Sequence, residues 1–546
     1  MTNDDTVAPL VDMQLYAPPV VPLGGTNCEV QLLRHDFGDG SYNNPAVVSY
    51  TPPKSRDCGE AGQWAVITLN MTVYSNGTQY DRLSSLYLSH VEIWRHSSAE
   101  PTKTGTIWTV KDVTHYSALF AEPGNLLMDF SNIISADLLL DGVFHVTLTG
   151  TFYAPTRAFP KPTVADLVLP ISNLSPNQSN FFTVADNLGG TASVTVPRTT
   201  QQAILEALVD GQLSGVVWPH AVIYTGGITP TNWRPITAFG AYDQPTYFID
   251  VTPFLPLLAD GAPHNITLRV LGQGEDPTIN SNWFVSGSLH VWVGKKNVSG
   301  TMTRYEIDDA PASRTSGRAS ADNATVYTSV VANRTVLIES VLYRDKGRQV
   351  VRFEQHLAYS NDQKYEDDGW VQWGTQLTEG TTLSTHGSSV VLRDAFSYPL
   401  SVFSNYSQYE LEYGGYGSAI NQTYARALRT PAFAHASRTT LSVQHARGTV
   451  GMDAWPGLRH AINGTGATAQ RLAFAAGSGE AYFRASAAAD DAWTRDAVWG
   501  TPELVAAAPR VPEAQIKPGG GPGFRRDLAV GAVLGHAPRV GGRRGV

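Results

Sequence analysis

Only two cysteines, Cys28 and Cys58, occur in 546 residues. Once joined to each other they leave neither a thiol nucleophile nor a cysteine-based metal site. Charge is scarce as well, at 16% of residues, and its balance is acidic, with a formal net charge of −9. A nucleic-acid partner requires a basic face that displaces counterions, so that class of partner is excluded. No run approaches the ~20 apolar residues that a membrane-spanning helix needs. The opening MTNDDTVAPLVDMQLYAPP lacks a basic segment followed by an apolar one, so no signal peptide is visible. The nucleophile elbow G-x-S-x-G, the zinc motif H-E-x-x-H and the phosphate loop G-x-x-x-x-G-K-[ST] are also missing. Fourteen histidines are scattered without ligand-like spacing, so solvated or structurally bonded histidines are expected rather than a metal-ligand set.

What is present points to β-structure. The chain is too long for one ordinary core, which predicts two to four domains. Fifty glycines and 33 prolines imply many turns and few long helices. Aromatic residues on an acidic surface suit neutral polar ligands such as sugars, or no ligand at all. Eleven Asn-x-Ser/Thr sequons occur, at Asn70, Asn76, Asn173, Asn177, Asn265, Asn297, Asn323, Asn333, Asn405, Asn421 and Asn463. So many, together with two cysteines flanking the turn-rich GDGSYNNPAVVSYTPP, favour a secreted or vacuolar protein with a Cys28 to Cys58 disulfide.

An internal repeat organises the first half. WTVKDVTHYSALFAEPGNLLMDF (108–130) and YFIDVTPFLPLLADGAPHNITLRV (247–270) share an Asp-Val-Thr unit, a small apolar turn and an Asn-led apolar strand. A further strand follows each, in DGVFHVTLTGTFYAP (141–155) and NWFVSGSLHVWVG (282–294), the first with apolar residues at every second position. The predicted fold is therefore all-β. An N-terminal segment (1–26) precedes a first jelly-roll-like sandwich (27–155). A Pro-containing linker (156–175) leads to a second sandwich (176–298), and a third β-rich domain of longer strands spans 299–484. The Ala, Gly, Pro and Arg-rich stretch from 485 to 546 is expected to be disordered.

Chemistry then falls to carboxylates, aromatics and amides. Asp81 stands at the mouth of the strand in QYDRLSSLYLSHVEIWR, where sandwich loops build clefts, and Arg82 beside it can hold it ionised. Glu92, on the polar face of the next strand, is a candidate acid-base partner. The alternative for Asp81 and Arg82 is a solvated surface ion pair.

The phrases QYDRLSSLYLSHVEIWRHSSAEPT, IWTVKDVTHYSAL and VDGQLSGVVWPHAVIYTGGITPTNWRPITAFGAYDQPTYFIDVTPFL resemble the plant and fungal peptide N-glycanase A family. The likeness covers residues 27–300 strongly and extends more loosely to about 460. A fainter likeness to the bacterial peptide N-glycosidase F, a pair of jelly rolls, places its catalytic Asp on Asp81. What the resemblance implies is hydrolysis of the amide joining Asn to the first N-acetylglucosamine of N-glycosylated peptides or proteins, without cofactor. It further implies that Arg82 orients Asp81, while Trp218, Asn232, Trp233 and Arg234 contact the sugar in a cleft between the two sandwiches. Plain sandwich core is the other reading of the two tryptophans.

Two departures stand against the resemblance. Relatives carry an acidic and aromatic segment between the strands matching AILEAL and VDGQLSGVVWP, whereas here Leu208 runs directly into Val209. The second functional Glu of the bacterial enzyme comes from that region, and Glu206 is the nearest acid left, with a structural role expected. Another acidic residue of the bacterial site aligns near Asn132, which is not acidic and counts among the substrate-binding positions. The alternative function is thus a catalytically impaired, secreted glycan-binding protein on the same scaffold.

Overall fold

The computed structural model describes residues 10–516, apart from 101–103, 186–188, 206–207, 210, 273–278, 280–281, 308–311, 323, 410, 412–413, 453–460, 512 and 514–515. Two β-sandwiches are followed by one large antiparallel sheet, and helices are single short turns. No described helix is long and apolar enough to cross a membrane.

In the first sandwich a five-stranded sheet, ordered Leu10–Asp12, Thr104–Asp112, Val66–Asn76, Phe144–Tyr153 and Asn27–Phe37, faces a four-stranded one. The second sheet is ordered Ala46–Tyr50, Gly124–Phe130, Leu83–Leu88 and Val91–Ser97. Alternation decides which side chains go inside: along Phe144–Tyr153 every second residue is buried. Phe37, Phe130 and Phe144 stack in series through that core. Cys28 and Cys58 form the expected disulfide, with 4.7 Å between their Cα atoms.

The N-terminal segment is part of this body. Leu10–Asp12 joins the first sheet as a parallel edge strand, and Met13 exchanges backbone hydrogen bonds with Pro235 and Thr237. Residues 167–171, placed in the linker for their proline, pair as a strand with Gly287–Val293. Pro170 is tolerated because Leu167–Ile171 is an edge strand, where an absent N–H breaks no ladder bond.

The second sandwich repeats the Asp-Val-Thr corner. Asp112 and Asp250 each end a strand and accept hydrogen bonds from the backbone N–H and hydroxyl of the Thr two residues on. Each leads through a short turn of helix into the next strand, Gly124–Phe130 or Pro263–Arg269. Two matched corners with the same internal bonds agree with duplication.

Beyond Ser299 the chain makes an eleven-stranded sheet that ends at Gly500, with strands as long as 20 residues, Thr325–Arg344 and Gly347–Glu366. One end packs Val336, Ile338, Leu342, Val351 and Phe353 into the core of the second sandwich. Disorder from residue 485 is not observed: Ala481–Ala489 and Ala492–Gly500 are the last two strands. Asp490 and Asp491 turn between them with φ of 47° and 62°, the positive values a tight hairpin needs. Trp493, Leu504 and Val511 are buried with Met13, Leu15 and Ile236. Composition averaged over the whole tail hid this hairpin. Residues 517–546 lie outside the described residues.

Candidate functional site

Asp81 and Arg82 lead into the strand Leu83–Leu88, which pairs with Val91–Ser97. The Arg82 N–H donates to Ser98 Oγ at 2.9 Å and the Ser98 N–H to the Arg82 carbonyl at 2.8 Å, prolonging the hairpin past its strands. Two residues further, Glu100 comes alongside Asp81 and accepts a hydrogen bond from its backbone N–H.

The edge of Val91–Ser97 is covered by an irregular strap, the residues between Leu213 and Ile249 of the second sandwich. Its bonds are specific: Ser97 N–H to the Ala241 carbonyl, Gln244 N–H to the Arg95 carbonyl, and Thr225 Oγ1 to the Ser98 carbonyl at 2.6 Å. These bonds occupy ladder groups that an uncovered edge would expose. The strap also delivers Gly226 to the carboxylates. A methyl group on Gly226 would lie 2.7 Å from Oδ1 of Asp81 and 2.7 Å from Oε1 of Glu100. Only glycine fits at that approach, and both carboxylates face the same small space.

Electrostatics separate the members. Burial, reinforced by the neighbouring Asp81 charge, pushes the Glu100 carboxyl up to about 7, with Arg234 and Arg82 pulling the other way. Arg234 donates from Nη1 to the Glu100 carbonyl at 3.0 Å, and its Nε lies 3.3 Å from Asp491 of the large sheet. Burial likewise lifts Asp12 to about 7 although Arg234 opposes it. Arg82 donates from Nη2 to Gln79 Oε1 at 2.8 Å. Its Nε is buried without a hydrogen-bond partner among the described residues. Tyr80 stands exposed beside it, with the Arg82 guanidinium 5.8 Å from its ring.

The expected residues divide. Asp81, Arg82 and Arg234 come together. Glu92 does not join them: Arg95 grips both of its oxygens at 2.6 and 2.7 Å, and Ser286 donates to it as well. That ion pair ties the two sandwiches, since Arg95 also donates to the Phe284 carbonyl.

Asn132 is fully buried. Its amide donates to the Phe37 and Gly142 carbonyls, and its oxygen accepts from Ile133, so it holds backbone rather than sugar. Asn232 is buried too, donating to Ser418 Oγ at 2.8 Å. Trp233 is core, packed with Ile223, Ala238, Ile420 and Ala446. Its Nε1–H nevertheless donates to the Gly227 carbonyl at 2.8 Å and so fixes the strap next to Gly226. Trp218 packs edge-on against Tyr359 of the large sheet, with a ring separation of 6.1 Å, and has no contact with the carboxylates. Glu206 lies outside the described residues.

Glu100 was missed, and counting could have found it. Ser89 and His90 form the turn of the hairpin, and Leu83 pairs with Ser97; the same register carried three residues outward sets Glu100 opposite Tyr80, next to Asp81. Among the described residues no group of three or more His, Cys, Asp or Glu is placed to hold a metal ion.

Residues 17–209 and 204–309 match the model of a family described as peptide N-acetyl-beta-D-glucosaminyl asparaginase amidase A, and residues 327–400 match its C-terminal domain. The two stretches of the first match overlap at residues 204–209. A peptide-N4-(N-acetyl-beta-glucosaminyl)asparagine amidase A of Prunus dulcis is 30% identical over 420 residues, covering 67% of this chain and 71% of that protein.

Proposed function

Because this chain belongs to the peptide N-acetyl-beta-D-glucosaminyl asparaginase amidase A family, we propose that it hydrolyses the amide between asparagine and the first N-acetylglucosamine of N-glycosylated peptides and proteins. The observation that carries this reading is the convergence of Asp81 and Glu100 on the space at Gly226.

An amide resists hydrolysis for two reasons: water is a weak nucleophile toward its carbonyl, and the nitrogen leaves only when protonated. Asp81 takes a proton from the attacking water as a new C–O bond forms. Glu100, held up near neutrality by burial and by the Asp81 charge, keeps a proton to give to the departing nitrogen as the C–N bond breaks. The products are an aspartate in the peptide and a glycosylamine. Proton transfers of this kind contribute ~10² to 10⁴-fold each. Arg82, held by Gln79, keeps a positive charge beside the pair that favours the charge developing on the carbonyl oxygen.

The division of the family match into two stretches that overlap at 204–209 favours a second reading, glycan binding without turnover. Mass spectrometry of a glycopeptide separates the two, since conversion of Asn to Asp marks hydrolysis. Wild-type turnover that falls by about 10³-fold or more in Asp81→Asn is expected; equal rates in the two proteins would remove Asp81 from the mechanism, and binding without any conversion would favour the second reading.

Secretion is proposed on two supports. The disulfide is formed, and eight sequon asparagines, Asn76, Asn173, Asn177, Asn265, Asn297, Asn333, Asn421 and Asn463, are exposed. Asn70 and Asn405 are half-buried, and Asn323 lies outside the described residues.

A further inference from the structure

Next to the strap the large sheet carries an open groove of about 180 Å³. Its floor is Gly374, where an added side chain would meet nothing within 4 Å. Three cross-strand rows build it. Asn361 pairs with Gln376 and Leu400, Gln363 with Gly374 and Val402, and Tyr365 with Gln372 and Ser404. Directly paired residues share a face, so this face presents amides, one phenol and no charge. The alternate positions Asp362, Lys364 and Glu366 put their charges on the other side of the sheet.

The same rows run into the carboxylate site. Ser404 pairs onward with Ser418, and Val402 with Ile420. Ser418 donates to Thr229 Oγ1 at 2.8 Å and accepts from Asn232, both strap residues. Leu400, Val402 and Ile228 pack on the cluster that holds Trp233, and Tyr406 donates to the Ile228 carbonyl at 3.0 Å. Ile228 lies two residues beyond Gly226. From Tyr365 to Ser418 is three strand spacings, about 14 Å, which is the reach of several sugar rings.

We propose that this groove is a subsite for the outer, neutral sugars of the N-glycan whose first sugar is bound at Asp81 and Glu100. The inference rests on the glycoamidase reading and names the part of the substrate that the large sheet selects. Asn and Gln side chains offer both a donor and an acceptor to sugar hydroxyls, and the Tyr365 ring offers a flat apolar face. A charge-free lining suits a neutral sugar, since it leaves no buried charge unpaired when one binds. Several amide groups remain available: the Gln372 amide donates to the Gly369 carbonyl and the Asn361 amide to Tyr359, which leaves their oxygens to accept.

Gly374→Trp fills the groove in open space, and Gln363→Ala with Gln376→Ala removes two of its four amides. Each variant is compared with wild type on one peptide carrying either a full neutral glycan or only the first two sugars. The expected result is a KM raised about tenfold on the long glycan, the loss of roughly 1.4 kcal/mol of binding, with both constants unchanged on the short one. Equal losses on both substrates, or none on either, would overturn the proposal. If wild type turns over neither substrate, the glycoamidase reading fails on its own. Titration of wild type and Gly374→Trp with the free long glycan then decides the groove: weaker binding by the variant supports it, and equal binding or none by wild type overturns it.

Discussion

Glu100 and Asp250 are two carboxylates removed from water in the same chain, and the fold treats them in opposite ways. Asp250 is 1% exposed, and burial alone would raise its pKa. His386 at 2.8 Å, Ser384 and Thr252 instead bring it below the usual carboxylate range. Glu100 meets another carboxylate where Asp250 meets a histidine, and it is pushed up to about 7. One is a satisfied joint between the second sandwich and the large sheet; the other is an acid kept uncomfortable at the site. Perturbation by burial together with a like charge is what a working acid requires, and full hydrogen bonding is what a structural one requires.

Substituting each acid by its amide should separate these roles, and the larger effect falls on Glu100. Glu100→Gln removes the proton donor, so turnover should drop by ~10² to 10⁴-fold. The pH profile adds a second readout. A donor must be protonated, so wild-type kcat/KM should decline as pH rises through about 7. That decline should vanish in Glu100→Gln. The substitution acts on stability in the opposite sense. Raised in the folded state, this group favours folding at low pH and loses that contribution between its unfolded value of 4.5 and about 7. The variant should therefore melt no lower than wild type at pH 8; a marked fall in melting temperature there would make Glu100 structural.

Asp250→Asn should do the reverse. It leaves His386 and Ser384 facing a neutral amide inside the protein, a loss of about 3 kcal/mol by the measure of broken buried pairs. Since the folded pKa is depressed, wild type keeps this contribution above the unfolded value of 3.8 and loses it as pH falls through the folded one. Urea unfolding at pH 7 and at pH 3 reads the difference, which should shrink in acid. Turnover of the folded variant should stay near wild type, because Asp250 makes no contact with the Asp81 site.

These contrasts also show what the sequence could carry. The repeat was legible because Asp-Val-Thr is a local device: the Asp bonds a residue two positions on, so the motif and its geometry coincide. Asp81 was legible through its phrase, and Glu100 was within reach of register counting. The strap was not. Its residues have no period, and the same Trp-rich text serves a sugar site or a core equally well; only packing put Trp233 in one cluster and Trp218 in another. Asn132 failed for a similar reason, since an amide that holds two carbonyls looks the same in sequence as one that holds a sugar. The sheet that joins the site came from strands more than a hundred residues away, a distance over which neither alternation nor turn chemistry carries information.

The smallest expected effect concerns a third kind of buried titratable group, a cluster of histidines. His115, His290 and His435 come from the first sandwich, the second and the large sheet, and meet around the buried ring of Phe433 with His115 at 5.9 Å from His290 and 5.8 Å from His435. Burial lowers all three, reinforced by neighbouring histidines at His115 and at His290, which falls to about 3. Histidines lowered in this way resist protonation in the folded state while the unfolded chain binds protons near 6.5. Stability should thus be full above pH 6.5 and decline below it, with a slope of at most about 1.4 kcal/mol per pH unit for each histidine. Three charged groups facing the cluster modulate this: Lys111 and Arg438 disfavour the charged form, and Asp112 favours it at His435. His290→Gln should flatten the melting curve between pH 6 and pH 4 relative to wild type. Parallel curves would mean that the three-way junction stays closed in acid by other contacts, and that the contrast between satisfied and unsatisfied buried groups does not extend to it.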